Sequence, residues 1–325
     1  MKAWIGGPDG PELTDVAVST AGPSDVVVRV HASGLNRADL FMAGGGTHGP
    51  LGGAGAIIGL EWAGEVTEVG SDVSAFKVGQ RIMGSGGSSF AEYAKADSGR
   101  VTAIPDGLSY ELAAGLPVAI QTMHNALVTE GGLQKGQAVL IHGASSGVGL
   151  MGLKIARLLG AGVVIGSARN LARRARLAEF GADLAVDPDS ATWVEEIKAA
   201  TNGAGVDLVV DQISGPGIND LMRAVKIKGR IVNVGRLGGN VAPMDFNLHA
   251  LRRITYTGVT FRSRSVQEVR DIVTLAAADL AAPLAEGKLN LPIDRTYAFA
   301  DLIPALAHME ANQHFGKIVL KGTAG

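Results

Sequence analysis

The feature that most constrains this fold is an apolar strand that runs into a turn of small residues and then into a helix. The strand reads Val-Leu-Ile-His over residues 139–142, and the turn reads Gly-Ala-Ser-Ser-Gly-Val-Gly over residues 143–149. Small residues allow a pyrophosphate to approach the backbone, and a helix N-terminus supplies free amides. Ala144 and Ser146 stand where a G-x-G-x-x-G pattern has glycines. The segment therefore predicts a dinucleotide-binding turn, with an ordinary glycine-rich strand–helix turn as the alternative.

The rest of the chain divides into a β-rich first third and an alternating middle. Strand-like runs such as residues 26–30 and 66–69 come early, between glycine-rich turns, and helical periodicity is scarce before about Glu111. Further on, apolar runs at 138–142, 163–165, 206–210, 230–234 and 254–259 alternate with helix-like segments, which predicts a parallel sheet buried on both faces. Asn170 and Gly181 are typical of the start and the end of one such helix. We expect further helices over 266–280 and 302–309 and a final strand over 317–320.

The cofactor preference is indicated by the end of the second strand of this sheet. NAD-binding domains usually carry an acidic residue there, about 20 positions after the turn, to bind the ribose hydroxyl. This chain has Ser167, Ala168 and Arg169 instead, and Arg173 and Arg174 follow. Guanidinium and hydroxyl groups suit a 2′-phosphate, so the pattern favours NADPH over NADH. The alternative interpretation is a solvated basic helix face.

Composition excludes several classes of protein. The formal net charge is −2 and basic residues are not interleaved with aromatic ones, so we expect neither nucleic acid nor an anionic membrane surface as a partner. The chain has no cysteine, which removes disulfides and thiolate-ligated zinc. There is no run of about 18 apolar residues, and glycine and proline interrupt the N-terminus too early for a signal peptide. We therefore expect a globular protein of the cytoplasm.

Several spaced motifs together resemble one known family. They are Asn-Arg-Ala-Asp at 36–39, Gly-Leu-Glu-Trp-Ala-Gly at 59–64, the turn at 139–149, Phe-Arg-Ser-Arg at 261–264 and Gly-Lys-Ile-Val-Leu at 316–320. In this order they resemble the quinone oxidoreductase (zeta-crystallin-like) branch of the medium-chain dehydrogenase/reductase family. The likeness extends over nearly the whole chain and is specific at the level of the family, but it is weak on the substrate.

The resemblance implies an α/β protein with a GroES-like β-rich catalytic domain (1–122), a Rossmann NADPH-binding domain with a doubly wound parallel sheet (123–262), and a C-terminal segment that returns to the catalytic domain (263–325). It also implies a homodimer or homotetramer that binds no metal. Zinc-dependent relatives have a cysteine where this chain has Leu35-Asn36, and a histidine where it has Leu60. Both differences agree with the absence of cysteine.

The resemblance further implies roles for individual residues. Asn36 would face the nicotinamide end of the cofactor, and Thr122 would contact the cofactor near the domain junction. The pyrophosphate would be cradled by Ala144, Ser145, Ser146, Gly147 and Val148. The 2′-phosphate would be held by Ser167, Arg169 and Arg173. The nicotinamide pocket would be lined by Gly235, Arg236, Leu237, Phe261, Arg262 and Asn312.

Two positions depart from the family pattern. Relatives commonly have a tyrosine near the nicotinamide where this chain has His48, and another tyrosine is replaced by Pro188. His48 is a candidate catalytic donor because its ordinary pKa lies near neutrality, and the alternative is a loop histidine that contacts only water. Asn36 is a second candidate, as a neutral donor to a carbonyl; the alternative is a turn asparagine that bonds its own backbone. The other histidines show no metal-ligand spacing.

Three functions follow from these features. The leading hypothesis is NADPH-dependent hydride transfer to a quinone or an α,β-unsaturated carbonyl. The second is reduction of an enoyl thioester, for which we find no separate basic cluster that would bind a coenzyme A phosphate. The third is a non-catalytic, crystallin-like NADPH-binding protein, which would bind the cofactor tightly and turn over no acceptor. A small-molecule substrate is expected in either enzymatic case.

Overall fold

A computed structural model describes residues 1–322 of the chain, which forms two compact units. The first unit consists of Met1–Val118 together with the chain from Phe261 onward, and the second is Ala119–Thr260. Helix α3 (Pro117–His124) contains the boundary between them, and a π-helical turn over Asn125–Thr129 continues it. None of the helices described in residues 1–322 is both long enough and apolar enough to span a bilayer.

The first unit is built on a seven-stranded sheet with short helices. Its N-terminal elements are β1 (Lys2–Ile5), β2 (Glu12–Asp15), β3 (Asp25–Gly34), α1 (Arg37–Ala43), β4 (Thr47–His48), β5 (Leu51–Gly52), β6 (Glu61–Val69), β7 (Arg81–Ser85), β8 (Tyr93–Asp97), β9 (Val101–Ala103) and α2 (Tyr110–Ala114). Valines of β3 alternate toward a buried face that they share with Trp62. Strands β1 and β2 form one separate antiparallel pair, and β4 and β5 form another.

The second unit is a six-stranded parallel sheet with intervening helices. Its elements are β10 (Ala138–His142), α4 (Gly147–Leu158), β11 (Val163–Ser167), α5 (Leu171–Ala175), β12 (Leu184–Val186), α6 (Trp193–Ala200), β13 (Val206–Asp211), α7 (Ile218–Ala224), β14 (Val225–Asn233), α8 (Phe246–Arg252) and β15 (Thr255–Gly258). The strand order is β12-β11-β10-β13-β14-β15, the doubly wound Rossmann order. The chain adds strands outward from β10 in one direction and then, from β13 onward, in the other, while all strands stay parallel. Every residue of β10 is buried, as expected for a strand covered on both faces.

The C-terminal part of the chain completes the sheet of the first unit. Its elements are α9 (Val266–Ala285), β16 (Ile293–Ala298), α10 (Leu302–Glu310) and β17 (Lys317–Lys321). Strand β17 pairs with β16 in parallel and with β3 in antiparallel orientation, so the sheet reads β16-β17-β3-β6-β7-β9, with β8 also paired to β3. Residues from both ends of the chain, such as Leu35 and Ile318, therefore share one apolar core.

The predicted fold class is confirmed, with differences at individual elements. Helix α1 was not predicted, since it is only seven residues long. The helix expected between Asn170 and Gly181 is broken into α5 and a 3₁₀ turn over Leu177–Phe180, although both predicted ends are correct: the Asn170 side chain caps the Arg173 amide at 3.0 Å and Gly181 has φ 102°. Strand β15 was expected to be buried but is largely exposed, because it is the edge of its sheet.

Candidate active site

The turn after β10 is held open by side chains that bond its backbone. The Ser146 hydroxyl caps α4 by accepting from the Gly149 amide at 3.0 Å, and the Gln212 amide nitrogen donates to the carbonyl oxygen of Gly143 at 3.2 Å. A methyl group built on Gly149 would lie 2.6 Å from the Gly143 carbonyl oxygen, so glycine is required there. The first turn of α4 has no acidic residue. Its free amides and partial positive charge therefore suit an anionic group beside Ala144, Ser145, Ser146, Gly147 and Val148.

The carboxyl ends of three strands meet beside this turn. His142 of β10 is in register with Asp211 of β13, and Asp211 is in register with Asn233 of β14. The segment Gly235-Arg236-Leu237 follows β14 and is anchored there, since the Ser214 hydroxyl donates to the Gly235 carbonyl oxygen at 2.7 Å. The structure thus brings the predicted pyrophosphate turn and Gly235–Leu237 to the same sheet edge, where ligands of doubly wound sheets bind.

Ser167 has a different role from the predicted contact with a 2′-phosphate. Its side chain is fully buried, and its hydroxyl accepts from the Gly143 amide at 3.0 Å. The Ser167 hydroxyl also shares a hydrogen bond with His142 Nδ1, 2.8 Å away. Burial lowers the pKa of His142, in agreement with a neutral ring. Ser167 therefore positions the turn and does not reach a bound phosphate.

The basic residues after β11 differ in what they contact. Arg174 donates to the carbonyl oxygen of Ala168 at 2.8 Å and to Asp187 at 2.8 Å, so it fixes the loop and neutralises the nearest carboxylate. Arg169 is exposed, and within residues 1–322 its guanidinium has no hydrogen bond or ion pair. Arg173 is half-buried on α5. Thr122, the remaining predicted residue of the second unit, is buried on α3.

In the first unit, Asn36 belongs to a buried charged cluster, defined here as Asn36, Asp39, Glu61 and Lys317. The Lys317 ammonium donates to Glu61 Oε1 at 2.6 Å and to Asn36 Oδ1 at 3.1 Å. Asn36 Nδ2 donates to Glu61 Oε1 at 2.9 Å and, more weakly, to the Gly34 carbonyl oxygen at 3.4 Å. Glu61 Oε2 accepts from the Val118 amide at 2.8 Å.

This cluster changes the predicted role of Asn36. Asn36 Nδ2 is bonded within the protein, to Glu61 at 2.9 Å and over a longer distance to the Gly34 carbonyl oxygen at 3.4 Å, which favours Oδ1 as the atom that contacts a ligand. Lysine can only donate and glutamate can only accept here, which fixes the amide with Oδ1 toward Lys317. One lone pair of Oδ1 remains and can accept from a ligand amide. The sequence had not linked Lys317 and Glu61 to Asn36, although all three lie in the motifs that carry the family resemblance.

His48 lies on the short hairpin of β4 and β5. Burial lowers its pKa, and the positive charge of Arg262 lowers it further, so the imidazole is neutral at neutral pH. The hairpin packs closely on the backbone that follows Phe261: a methyl group built on Gly49 would lie 2.5 Å from the Arg262 carbonyl oxygen. His48, Phe261 and Arg262 are therefore neighbours. Asn312 is exposed, and its side-chain oxygen accepts from Arg37 at 2.9 Å. Arg37 directly follows Asn36 in the chain.

Comparison with known proteins identifies the family. Residues 22–106 match the alcohol dehydrogenase GroES-like domain, and residues 147–278 match the zinc-binding dehydrogenase family. A low-reducing polyketide synthase, drtA of Aspergillus calidoustus, is 30% identical over 301 residues, which are 91% of this chain and 12% of that protein. The chain thus spans about an eighth of the length of the curated relatives it matches.

Solved structures match over the full length. A quinone oxidoreductase of Pseudomonas syringae pv. Tomato has a TM-score of 0.86 and 26% identity, and the match covers 98% of this chain and 99% of that one. CurK enoyl reductase has a TM-score of 0.86 and 25% identity, with 99% of each chain covered. Escherichia coli quinone oxidoreductase complexed with NADPH has the same fold, with a TM-score of 0.86 at 21% identity over 99% of this chain and 100% of that one. The chain is therefore an oxidoreductase of the medium-chain dehydrogenase/reductase family, in its quinone oxidoreductase branch.

Proposed function

We propose that this enzyme is an NADPH-dependent reductase that transfers hydride to a quinone or to an α,β-unsaturated carbonyl without a metal. The observation that carries the proposal is the sheet edge of the second unit, where an uncompensated helix N-terminus lies beside the carboxyl end of β13. The end of β11 carries Ser167, Ala168 and Arg169, with no acidic residue that could bind a ribose hydroxyl. This combination supports a dinucleotide that carries an additional phosphate.

On the cofactor side, the residues bind and orient. The amides of the turn would hold the pyrophosphate, and Arg169 and Arg173 would hold the 2′-phosphate, while Ser167 and Gln212 keep the turn in shape. Gly235, Arg236 and Leu237 would lie along the nicotinamide half. Oδ1 of Asn36 would accept from the carboxamide of the nicotinamide. When bound, NADPH supplies the hydride, and the protein supplies its orientation and the exclusion of water.

On the acceptor side, His48 would donate a hydrogen bond to the carbonyl oxygen. Negative charge develops on that oxygen as hydride reaches the β-carbon of an enone, and a positioned N–H stabilises it. A neutral imidazole is suited to donate this hydrogen bond, and the low pKa of His48 keeps it neutral. One proton from solvent completes the reaction, so NADPH, one proton and the acceptor give NADP⁺ and the reduced acceptor.

The test is NADPH and NADH oxidation at 340 nm with an ortho-quinone, a simple enone and crotonyl-CoA as separate acceptors. Faster NADPH oxidation with the quinone or the enone supports the proposal. A strong preference for crotonyl-CoA would instead support the second candidate, an enoyl-thioester reductase, which the likeness to CurK enoyl reductase favours. Tight NADPH binding without turnover of any acceptor would contradict both and indicate a binding role.

The cofactor assignment has its own test in Arg169→Ala. A hydrogen-bonded charged group contributes roughly 1.5–3 kcal/mol, so we expect NADPH to bind at least about tenfold more weakly and NADH to be unaffected. Arg176→Ala is the matched control, because Arg176 is exposed at the end of α5 and pairs with Glu179. Fluorescence titration of each cofactor gives the dissociation constants. Equal losses for the two cofactors would exclude Arg169 as the phosphate ligand.

The assembly and the cellular location are further proposals. We propose a homodimer or homotetramer in the cytoplasm, as the family resemblance implies. Light scattering coupled to size exclusion measures the mass of the particle directly. A monomer at micromolar concentration would contradict the proposed assembly and would leave the reaction unchanged.

A further inference from the structure

The guanidinium of Arg100, in the first unit, has no partner within residues 1–322. Its Nε is buried without a hydrogen bond, and no acceptor or carboxylate lies within bonding distance of its other nitrogens in that part of the chain. Burial lowers the pKa of Arg100, and only the more distant charge of Asp97 acts in the opposite direction. A guanidinium nitrogen that is buried without an acceptor is costly, because its N–H has lost water and gained nothing in return.

The nearest carboxylate is occupied by a different arginine. Asp97 accepts from Arg270 in a bidentate pair, with Nε to Oδ2 and Nη2 to Oδ1 both at 2.9 Å. It also accepts from the Gly99 amide at 2.9 Å. Asp97 therefore holds the turn that carries Arg100 without neutralising Arg100. The result is a fixed backbone that presents an unpaired positive charge.

A glycine turn lies against the guanidinium of Arg100. The guanidinium rests against Gly86, where a methyl group would lie 3.2 Å from Cζ and 3.4 Å from Nη1. Gly86 and Gly87 have φ values of 143° and 100°, which side-chain-bearing residues rarely adopt. This Gly86-Gly87 turn therefore lies against Arg100 with no side chain of its own.

The same turn connects Arg100 to the proposed acceptor site. A methyl group on Gly87 would lie 2.8 Å from the Leu51 side chain, and Leu51 is the strand partner of His48. Arg100 and His48 thus flank the Gly86-Gly87 turn and the β4–β5 hairpin within one unit. An acceptor whose carbonyl oxygen bonds His48 would reach Arg100 by passing Leu51 and the Gly86-Gly87 turn.

We propose that Arg100 binds a carboxylate on the acceptor, so that the preferred substrate is an anionic enone or quinone. This inference rests on the proposed function and specifies its substrate class. A planar guanidinium binds a carboxylate through two parallel hydrogen bonds. A monoanion fits better than a phosphate dianion, because one arginine is the only unpaired cation beside the turn in residues 1–322 and Asp97 lies nearby.

The experiment compares two acceptors that share one enone, 4-oxo-2-pentenoate and its methyl ester, of which only the first carries a negative charge. The wild-type enzyme should have the lower KM for the carboxylate. Arg100→Met should raise KM for the carboxylate by about 10- to 100-fold and leave kcat and the KM of the ester unchanged. Arg100→Lys should restore part of the preference, since lysine keeps the charge and loses the bidentate geometry. Arg29→Met is the matched control, because Arg29 is exposed on β3 over Tyr93.

Each outcome decides a separate point. The inference is overturned if the wild-type enzyme shows no preference for the carboxylate over the ester. It is also overturned if Arg100→Met raises KM equally for both acceptors, or if Arg29→Met raises KM for the carboxylate as much as Arg100→Met does. If Arg100→Met does not fold, competitive inhibition of the wild-type enzyme by 4-oxopentanoate against its amide gives the same comparison. Failure of the proposed function is distinguishable, because the wild-type enzyme would then turn over neither the acid nor the ester.

Discussion

His48 lies half-buried on a two-residue strand whose surroundings favour the neutral imidazole. Its pKa is held below the ordinary value of 6.5 by burial first and by Arg262 second. If the neutral ring donates the hydrogen bond, kcat/KM should be constant from about pH 6.5 upward and fall only at lower pH, as the ring is protonated. Steady-state rates between pH 5 and pH 9 measure this. A rate that falls as pH rises through 6.5 would mean that the protonated ring is the active form.

Replacing His48 tests the same hydrogen bond directly. His48→Phe should lower kcat by about 100-fold, which is typical of losing one donor to a developing oxyanion. His48→Gln should retain part of the activity, since an amide N–H can donate. His249→Gln on α8 of the second unit is the control for a change of histidine alone. NADPH binding should be unchanged in all three variants, and a loss confined to cofactor binding would contradict the assigned role.

Asp39 gives a second pH prediction, which concerns the stability of the fold: the contribution of this residue should decrease as pH rises. It is fully buried, only one of its oxygens is bonded, and burial raises its pKa from 3.8 to about 8. The folded state therefore keeps a proton that the unfolded chain loses above pH 4, and the stabilisation by this group declines as pH rises toward 8. Asp39→Asn removes that dependence. The unfolding free energy of Asp39→Asn minus that of the wild type should therefore increase by on the order of 4 kcal/mol from pH 5 to pH 8.

Urea denaturation at the two pH values measures the Asp39 effect. Asp271→Asn is the matched control, since Asp271 is exposed on α9 and bonds only Gln267. It should change stability by less than about 0.5 kcal/mol at either pH. A difference between Asp39→Asn and wild type that is the same at pH 5 and pH 8 would contradict a protonated buried carboxyl.

Single residues show where sequence reasoning reaches its limit. The sequence identified Asn36 and Ser167 as site residues but did not predict the internal hydrogen bonds that hold their side chains. Lys317 lies 281 positions from Asn36, and only the fold brings its ammonium to the amide. Ser167 was expected to face a phosphate because it ends β11, yet the pleat directs it inward to His142 and Gly143. Side-chain direction at a strand end depends on register, which sequence spacing does not determine.

At the scale of elements, the turn between β10 and α4 depends on Gly149. A methyl group there would lie 2.6 Å from the Gly143 carbonyl oxygen and 2.7 Å from Ala144 Cα, both of which are backbone atoms that cannot move aside cheaply. Gly149→Ala should weaken NADPH binding by more than about tenfold and destabilise the fold by roughly 1–3 kcal/mol. Cofactor titration and denaturant midpoints measure the two effects.

A second glycine provides the control for Gly149. Gly217, before α7, has nothing within 4 Å of a built methyl group and has φ −73°. Gly217→Ala should therefore change stability by less than about 1 kcal/mol, with a gain from reduced unfolded-state entropy, and leave NADPH binding unchanged. If the two alanine variants behave alike, close packing within the turn is not what fixes glycine at position 149.

Elements with strong periodicity were predictable, and short or edge elements were not. The strands β10, β11, β13 and β14 correspond to the continuous apolar runs of the sequence, because burial on both faces demands such runs. The seven-residue helix α1 escaped notice, since it is too short for an apolar stripe and its start is capped by an oxygen of the Asp39 side chain that accepts from the Asn36 amide. Pairing of β17 with β3 joins residues about 285 positions apart and was inferred only from the resemblance to the family.

For the whole molecule, the family description and the residues of this chain differ over zinc. Residues 147–278 match a family described as zinc-binding, yet the chain has no cysteine. Within residues 1–322, no group of three or more histidine, aspartate or glutamate side chains is arranged to hold a metal ion. The buried cluster around Glu61 already contains a cation, because the Lys317 ammonium lies 2.6 Å from Glu61 Oε1 and 3.1 Å from Asn36 Oδ1. A second cation beside it would be repelled at close range.

Hydride transfer by this enzyme should therefore not depend on a metal. Incubation with dipicolinate and gel filtration should leave NADPH oxidation and the thermal midpoint unchanged, and elemental analysis should give well under one zinc per chain. A zinc alcohol dehydrogenase treated in parallel should lose its activity, which shows that the chelator works. Stoichiometric zinc together with activity lost to the chelator and restored by zinc would overturn the assignment of Lys317 as the cation of this cluster. Lys317→Met provides the complementary measurement: removing the ammonium should destabilise the fold by about 3–5 kcal/mol, because Glu61 is then buried without its partner.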